Sequence, residues 1–199
     1  MSTAAASPAA IALLGTSADP PTRGHQLLLE GLLERFPHVA TWASDNPMKQ
    51  HEVALPQRVN LLAALVAAIG DPRLELTQEL SSPWALTTLD RAHQRWPDRE
   101  LVFVVGSDLV GQIPQWRQAD QVLQRCRLAI VPRSGWPLTP ETLARLQALG
   151  AKVEQLPLAI PATASSHVRR RLESEQVPAA VWPLLLQHNL YGLEAPPPT

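Results

Sequence analysis

The sequence predicts an α/β protein: a Rossmann-like, doubly wound parallel sheet with helices on both faces and a helical C-terminal part. Three observations predict it. Short apolar runs alternate with periodic segments of helix length, the pattern of βαβ units. One run, Leu101–Val105 (LVFVV), is apolar throughout, as a strand buried on both faces must be. Two runs end in glycine followed by polar residues, Gly15-Thr16-Ser17 and Gly106-Ser107-Asp108, which suits loops at the carboxyl end of such a sheet.

Each element follows from local chemistry. Ile11–Leu14 is the first strand, stopping at Gly15, and a turn-rich stretch with two adjacent prolines runs from Thr16 to Arg23. Gly24 and His25 open a helix whose leucines at 27, 28, 29, 32 and 33 suit one face, ending near Phe36. Val39–Ala43 is the second strand, and Ser44–Lys49 is a loop by composition. A helix from Pro56 to Ile69 has proline in its first turn, Gly70 behind it and Pro72 as a stop. Leu74–Thr77 is a short strand, and Trp84–Arg95 is a helix ended by Pro97. After Leu101–Val105 comes an irregular helical region carrying Trp116, then a strand at Leu128–Val131. Thr139–Leu149 is a helix with a threonine cap and a closing glycine, and Val153–Leu156 is the last strand. Ser165–Glu173 and Ala179–Asn189 complete the chain as helices, the second disturbed at Pro183. Residues 1–8 are expected to be a flexible N-terminus, 9–193 a single domain and 194–199 a flexible, proline-rich tail.

With 199 residues and 45% hydrophobic content, the chain can bury a sizeable core in one domain. A net charge of −1 argues against non-specific binding to nucleic acid or membranes, which rests on a basic surface. A single cysteine, Cys126, excludes an internal disulfide and fits a reducing compartment. No signal peptide and no long apolar span is present, so a cytoplasmic location is expected.

The strand, tight loop and helix start over residues 11–29 aim backbone N–H groups and a positive helix end at one point, an anion site. The glycine spacing is neither the dinucleotide fingerprint nor the phosphate loop with its lysine. Instead a histidine, His25, stands at the helix start and can add a ring N–H. These features reach a nucleotide-sized anionic ligand but no reaction.

The loop Gly15-Thr16-Ser17-Ala18-Asp19-Pro20-Pro21-Thr22-Arg23-Gly24-His25 resembles the G-G-[ST]-F-D-P-x-H-x-G-H signature of the nucleotidyltransferase superfamily. More narrowly it resembles the bacterial nicotinate mononucleotide adenylyltransferases. Further likenesses fall in order: Asn46-Pro47-x-Lys49, Arg58, Glu79–Leu89 (ELSSPWALTTL), Gly106-Ser107-Asp108 with Trp116, Val131-Pro132-Arg133, Ala164-Ser165-Ser166-His167-Val168-Arg169 and Leu190-Tyr191. Together they span about residues 9 to 193. Thr16, Ala18 and Thr22 depart from the signature's Gly, Phe and first His, and Trp84 stands for a tyrosine.

The resemblance implies transfer of AMP from ATP to nicotinate mononucleotide, giving nicotinate adenine dinucleotide and pyrophosphate in NAD biosynthesis. Transfer to nicotinamide mononucleotide or phosphopantetheine, or a nucleotide-binding module without turnover, are the alternatives. It implies catalytic roles for His25, Thr22 and Arg169. ATP would be held by Gly15, Thr16, Ser17, Gly24, His25, Gly106, Asp108, Ser165, Ser166 and Arg169. Lys49, Trp84, Thr88, Trp116 and Arg133 would bind the mononucleotide, with Trp116 stacking on its ring. Mg²⁺ would arrive with ATP, so no all-protein metal site is expected. ATP and a pyridine mononucleotide are the implied partners, and a homodimer is compatible with the resemblance. The remaining tryptophans (Trp42, Trp96, Trp136, Trp182) are read as packing.

Overall fold

A computed structural model describes residues 10–46, 49–158, 160 and 173–193. Six parallel strands form one sheet in the order β3-β2-β1-β4-β5-β6. They are β1 (Ala10–Thr16), β2 (Val39–Ala43), β3 (Leu74–Leu76), β4 (Glu100–Gly106), β5 (Arg127–Val131) and β6 (Lys152–Gln155). The strand order reverses between β1 and β4, which pair directly with Leu13 opposite Phe103. Their carboxyl ends therefore open the crevice where ligands bind in sheets of this kind.

Alternation along the strands sorts the core into two layers. Ala10, Ala12 and Leu14 of β1 face one layer together with α1 (Arg23–Leu33) and α2 (Leu55–Ile69). The C-terminal helix α6 (Trp182–Gln187) also packs there, through Val181 and Leu185. Ile11 and Leu13 face the other layer, formed with α3 (Ala85–Arg95), α4 (Ala119–Arg125) and α5 (Pro140–Ala148). Among the described residues, no helix is long and apolar enough to cross a membrane.

Several expectations shift. β1 does not stop at Gly15: Gly15 and Thr16 stay in register with Trp42 and Ala43. In α1 the leucines at 28, 29, 32 and 33 are buried, whereas Leu27 lies off the stripe and is 43% exposed. The irregular helical region around Trp116 divides into a 3₁₀ segment, Val110–Gln115, and the short helix α4, which buries Ala119, Val122 and Leu123. The last helix starts at Trp182 rather than Ala179, because Pro183 lacks an N–H and fits only a helix's first turn. The expected helix from Ser165 lies almost wholly outside the described residues. Gly70 takes φ 66° and closes α2 in the left-handed form that glycine favours. Cys126 is buried, its Sγ 3.3 Å from the Val122 carbonyl, and burial pushes its thiol up to about 12. The flanking arginines do not activate it.

Candidate active site

The loop after β1 is built around two close approaches. A Cβ on Gly15 would sit 2.8 Å from the Trp42 indole, so glycine is required for Trp42 to pack across the strand end. The Thr16 hydroxyl accepts from the Ala18 amide at 3.3 Å, holding a turn in which Ala18 takes φ 47° and is fully buried. The buried Arg58 of α2 braces this loop from beneath. Its guanidinium donates to the Ser17 carbonyl at 2.7 Å, the Ser44 carbonyl at 2.8 Å and the Val53 carbonyl at 3.0 Å. Arg58 thus ties the loop after β1 to the loop after β2. Asp19, also buried, accepts from the Glu52 amide at 2.9 Å and from the Tyr191 hydroxyl at 2.6 Å. Its position beyond a local turn was not readable from residue type alone.

At the start of α1, Thr22 is the N-cap and His25 the third helical residue. The His25 Nδ1 accepts from the Thr22 amide at 3.0 Å and lies 2.8 Å from the Thr22 hydroxyl. An atom that accepts from an amide N–H carries a lone pair, so the ring proton sits on Nε2. Among the described residues Nε2 has no acceptor. Burial pushes the imidazole down to about 4, with the charges of Arg133 and Lys49 adding to the effect. His25 is therefore a neutral donor with a fixed tautomer. Thr22 is fully buried and turned to His25, so its hydroxyl orients the ring rather than reaching a ligand directly.

The facing wall comes from the loops after β4 and β5. The Ser107 hydroxyl accepts from the Arg133 amide at 2.9 Å, locking the two loops together. Arg133 Nε lies 3.1 Å from Asp108 Oδ1, a buried atom without a hydrogen bond. Both crowd Gly106, where a Cβ would fall 2.3 Å from Asp108 Oδ1 and 2.5 Å from Arg133 Nε. Lys49, from the loop after β2, feels Asp108 and Arg133. Its ammonium is held below the usual lysine range, chiefly by desolvation. His25, Lys49, Asp108 and Arg133 thus share one electrostatic neighbourhood although they come from the start of α1 and three different loops.

Toward the other end, Trp116 is half-buried and meets Phe103 edge-on at 6.1 Å. Trp84, the N-cap of α3, is 48% exposed. Thr88 is not available to a ligand: it is buried and its hydroxyl donates to the Leu80 carbonyl at 3.0 Å. Trp136 departs from the packing role read for it, being 57% exposed and bridged to Arg133 across a tight turn. Gly24 is buried in the first turn of α1. Ser165, Ser166 and Arg169 lie outside the described residues.

A fold with its crevice at the β1/β4 reversal, lined by a capped histidine and cations, defines a nucleotide-handling α/β protein. The chain belongs to the cytidylyltransferase-like family, whose model matches residues 13–171. A probable nicotinate-nucleotide adenylyltransferase of Synechocystis is 35% identical, over 91% of this chain and 98% of its own length. One from Geobacillus kaustophilus is 28% identical, over 92% of this chain and 86% of its own. Among solved structures, the Plasmodium falciparum nicotinic acid mononucleotide adenylyltransferase complexed with NaAD superposes with a TM-score of 0.75 at 18% identity, covering 94% of this chain and 98% of that one. That likeness carries the fold.

Proposed function

We infer that this chain transfers AMP from ATP to nicotinate mononucleotide, forming nicotinate adenine dinucleotide and pyrophosphate. The names of its relatives support the reaction. The observation that carries it in this chain is the fixed tautomer of His25, a neutral N–H donor at the carboxyl end of the sheet that feels the charges of Arg133 and Lys49.

The attacking group is a phosphate oxygen of the mononucleotide, already anionic. It forms a bond to the α-phosphorus of ATP, and the bond to the pyrophosphate oxygen breaks. No proton need be removed, which fits a site without a general-base pair. The work left to the protein is alignment and charge stabilisation. His25 Nε2–H would donate to an α-phosphate oxygen, and the first-turn amides of α1 would face the same group. Lys49 and Arg133 would offset the charge gathered by two phosphate chains. Ser165, Ser166 and Arg169 would serve the leaving pyrophosphate, as the resemblance implies. Thr16 and Ser17 would contribute through the backbone of the loop that Arg58 braces.

Among the described residues, no group of three or more His, Cys, Asp or Glu could hold a metal ion. One buried carboxylate oxygen without a hydrogen bond, on Asp108, fits a single ligand to a Mg²⁺ carried by the triphosphate. Such an ion supplies charge neutralisation on the phosphates.

The test is pyrophosphate release from ATP with Mg²⁺, offering nicotinate mononucleotide, nicotinamide mononucleotide and phosphopantetheine in turn. Turnover fastest with nicotinate mononucleotide is expected. ATP binding with no release from any acceptor would overturn the reading in favour of a non-catalytic module.

A further inference from the structure

We propose that Tyr191 is a positioning residue for the reaction: through its bond to Asp19 it fixes the segment that aims the His25 ring. This rests on the role of His25 inferred above, and it gives a task to a side chain 172 positions beyond Asp19.

Asp19 is fully buried, and each of its carboxylate oxygens accepts a hydrogen bond. The Tyr191 hydroxyl donates to Oδ1 at 2.6 Å, and the Glu52 amide donates to Oδ2 at 2.9 Å. Arg58 feels the charge of the same carboxylate. A short bond from a hydroxyl to a buried carboxylate is strong and directional. Pro20 and Pro21 follow Asp19 with their φ angles locked by the rings, so an orientation set at Asp19 passes stiffly to Thr22. Thr22 in turn holds His25 Nδ1 by its amide and lies against it with its hydroxyl.

The backbone of Tyr191 points the same way. It takes φ 57° and ψ 32°, a left-handed conformation that bulky side chains rarely adopt. Such a conformation persists where the surroundings fix it, and glycine or asparagine would suit the turn by itself better. What tyrosine adds is a ring packed against the layer of α1 and α2, with a hydroxyl at its far end. A second tie runs beside the first, since Arg23 Nε donates to the Glu175 carbonyl at 3.0 Å. The C-terminal segment thus holds the chain on both sides of Thr22. The Arg23 tie lies at the surface, whereas the Tyr191 bond ends on a buried group and carries the constraint.

The experiment compares the wild type with Y191F, D19N and the double variant. Calorimetry with ATP counts the competent sites and gives their affinity, and pyrophosphate release with nicotinate mononucleotide and Mg²⁺ gives kcat per competent site. Nitrogen-15 spectra at pH 7 give the tautomer of His25, whose ring signals are assigned by their absence from H25Q. Y191F keeps the ring and removes only the hydroxyl, so it should bind ATP at full stoichiometry with affinity within about threefold. Its kcat should fall about tenfold, because a misaimed donor still binds but stabilises the transition state less. Its His25 signals should move from the Nε2–H form towards an average of the two tautomers. D19N should act in the same direction, and the double variant should be no slower than D19N alone. A kcat per site unchanged in Y191F, a His25 spectrum unchanged in Y191F, or additive losses in the double variant would overturn the proposal. If the wild type releases no pyrophosphate, the reaction falls and the spectra decide: a tautomer shift in Y191F keeps the positioning role, and its absence removes it.

Discussion

A histidine that must donate a hydrogen bond at neutral pH has two ways to fail: it can take a second proton, or turn over. Thr22 closes both routes, because its amide N–H holds Nδ1 as an acceptor and a proton there would face that donor. His25→Ala should therefore lower turnover by about 10² or more while changing ATP affinity far less, a split read from kcat and from equilibrium binding. The pH dependence has a definite sign. The folded imidazole sits near 4 and an unfolded one near 6.5, so the unfolded chain binds more protons between these values. Stability from this group is fully present above pH 6.5 and is lost as pH falls towards 4, with a slope of up to about 1.4 kcal/mol per pH unit. Urea unfolding at pH 7, 5.5 and 4.5 measures it, and His25→Gln should remove that part of the slope. Turnover should show no ionisation of His25 between pH 6 and 8. Gly15→Ala forces a methyl against the Trp42 indole and should cost about 1–3 kcal/mol by the same unfolding assay.

At the level of elements, the strands were legible, because β-branched runs act through local sterics, although β1 runs one residue past the glycine read as its end. Thr22, Ala18 and Thr16 read as departures from a signature. In the fold they form the cap, the left-handed turn and its hydroxyl brace. What the sequence could not display was which side chains the tertiary fold consumes. Thr88 spends its hydroxyl on Leu80, while Trp136 and Trp84 stay exposed although their composition suits a core. Arg58 was recognisable only as a residue opening a helix. Its three carbonyl acceptors come from segments up to 41 positions away. Arg58→Met should destabilise the fold by about 3 kcal/mol or more, since it leaves the Ser17, Ser44 and Val53 carbonyls without their buried donor. It should also raise KM for ATP, because the loop after β1 loses its brace. Chemical denaturation and steady-state kinetics check the two effects separately.

Across the whole molecule, charge is distributed by edge. At the amino edge Arg127 pairs with Glu100 and with Glu154, and Arg35 reaches the same Glu154 at 3.5 Å. Those charges neutralise one another and contribute to packing. At the carboxyl edge the Lys49 ammonium makes no hydrogen bond or ion pair among the described residues, and Arg133 is ion-paired only with Asp108. The protein is nearly neutral overall yet presents one cationic mouth. Raising salt from about 50 to about 500 mM should therefore raise KM for both substrates several-fold while leaving kcat nearly constant.

The bond from Tyr191 to Asp19 joins residues 172 positions apart. A chain emerging from the ribosome can assemble all six strands well before Tyr191 appears, and until then its first loop lacks this one bond. The first loop is thereby completed by a residue that joins it only after the whole sheet has been made.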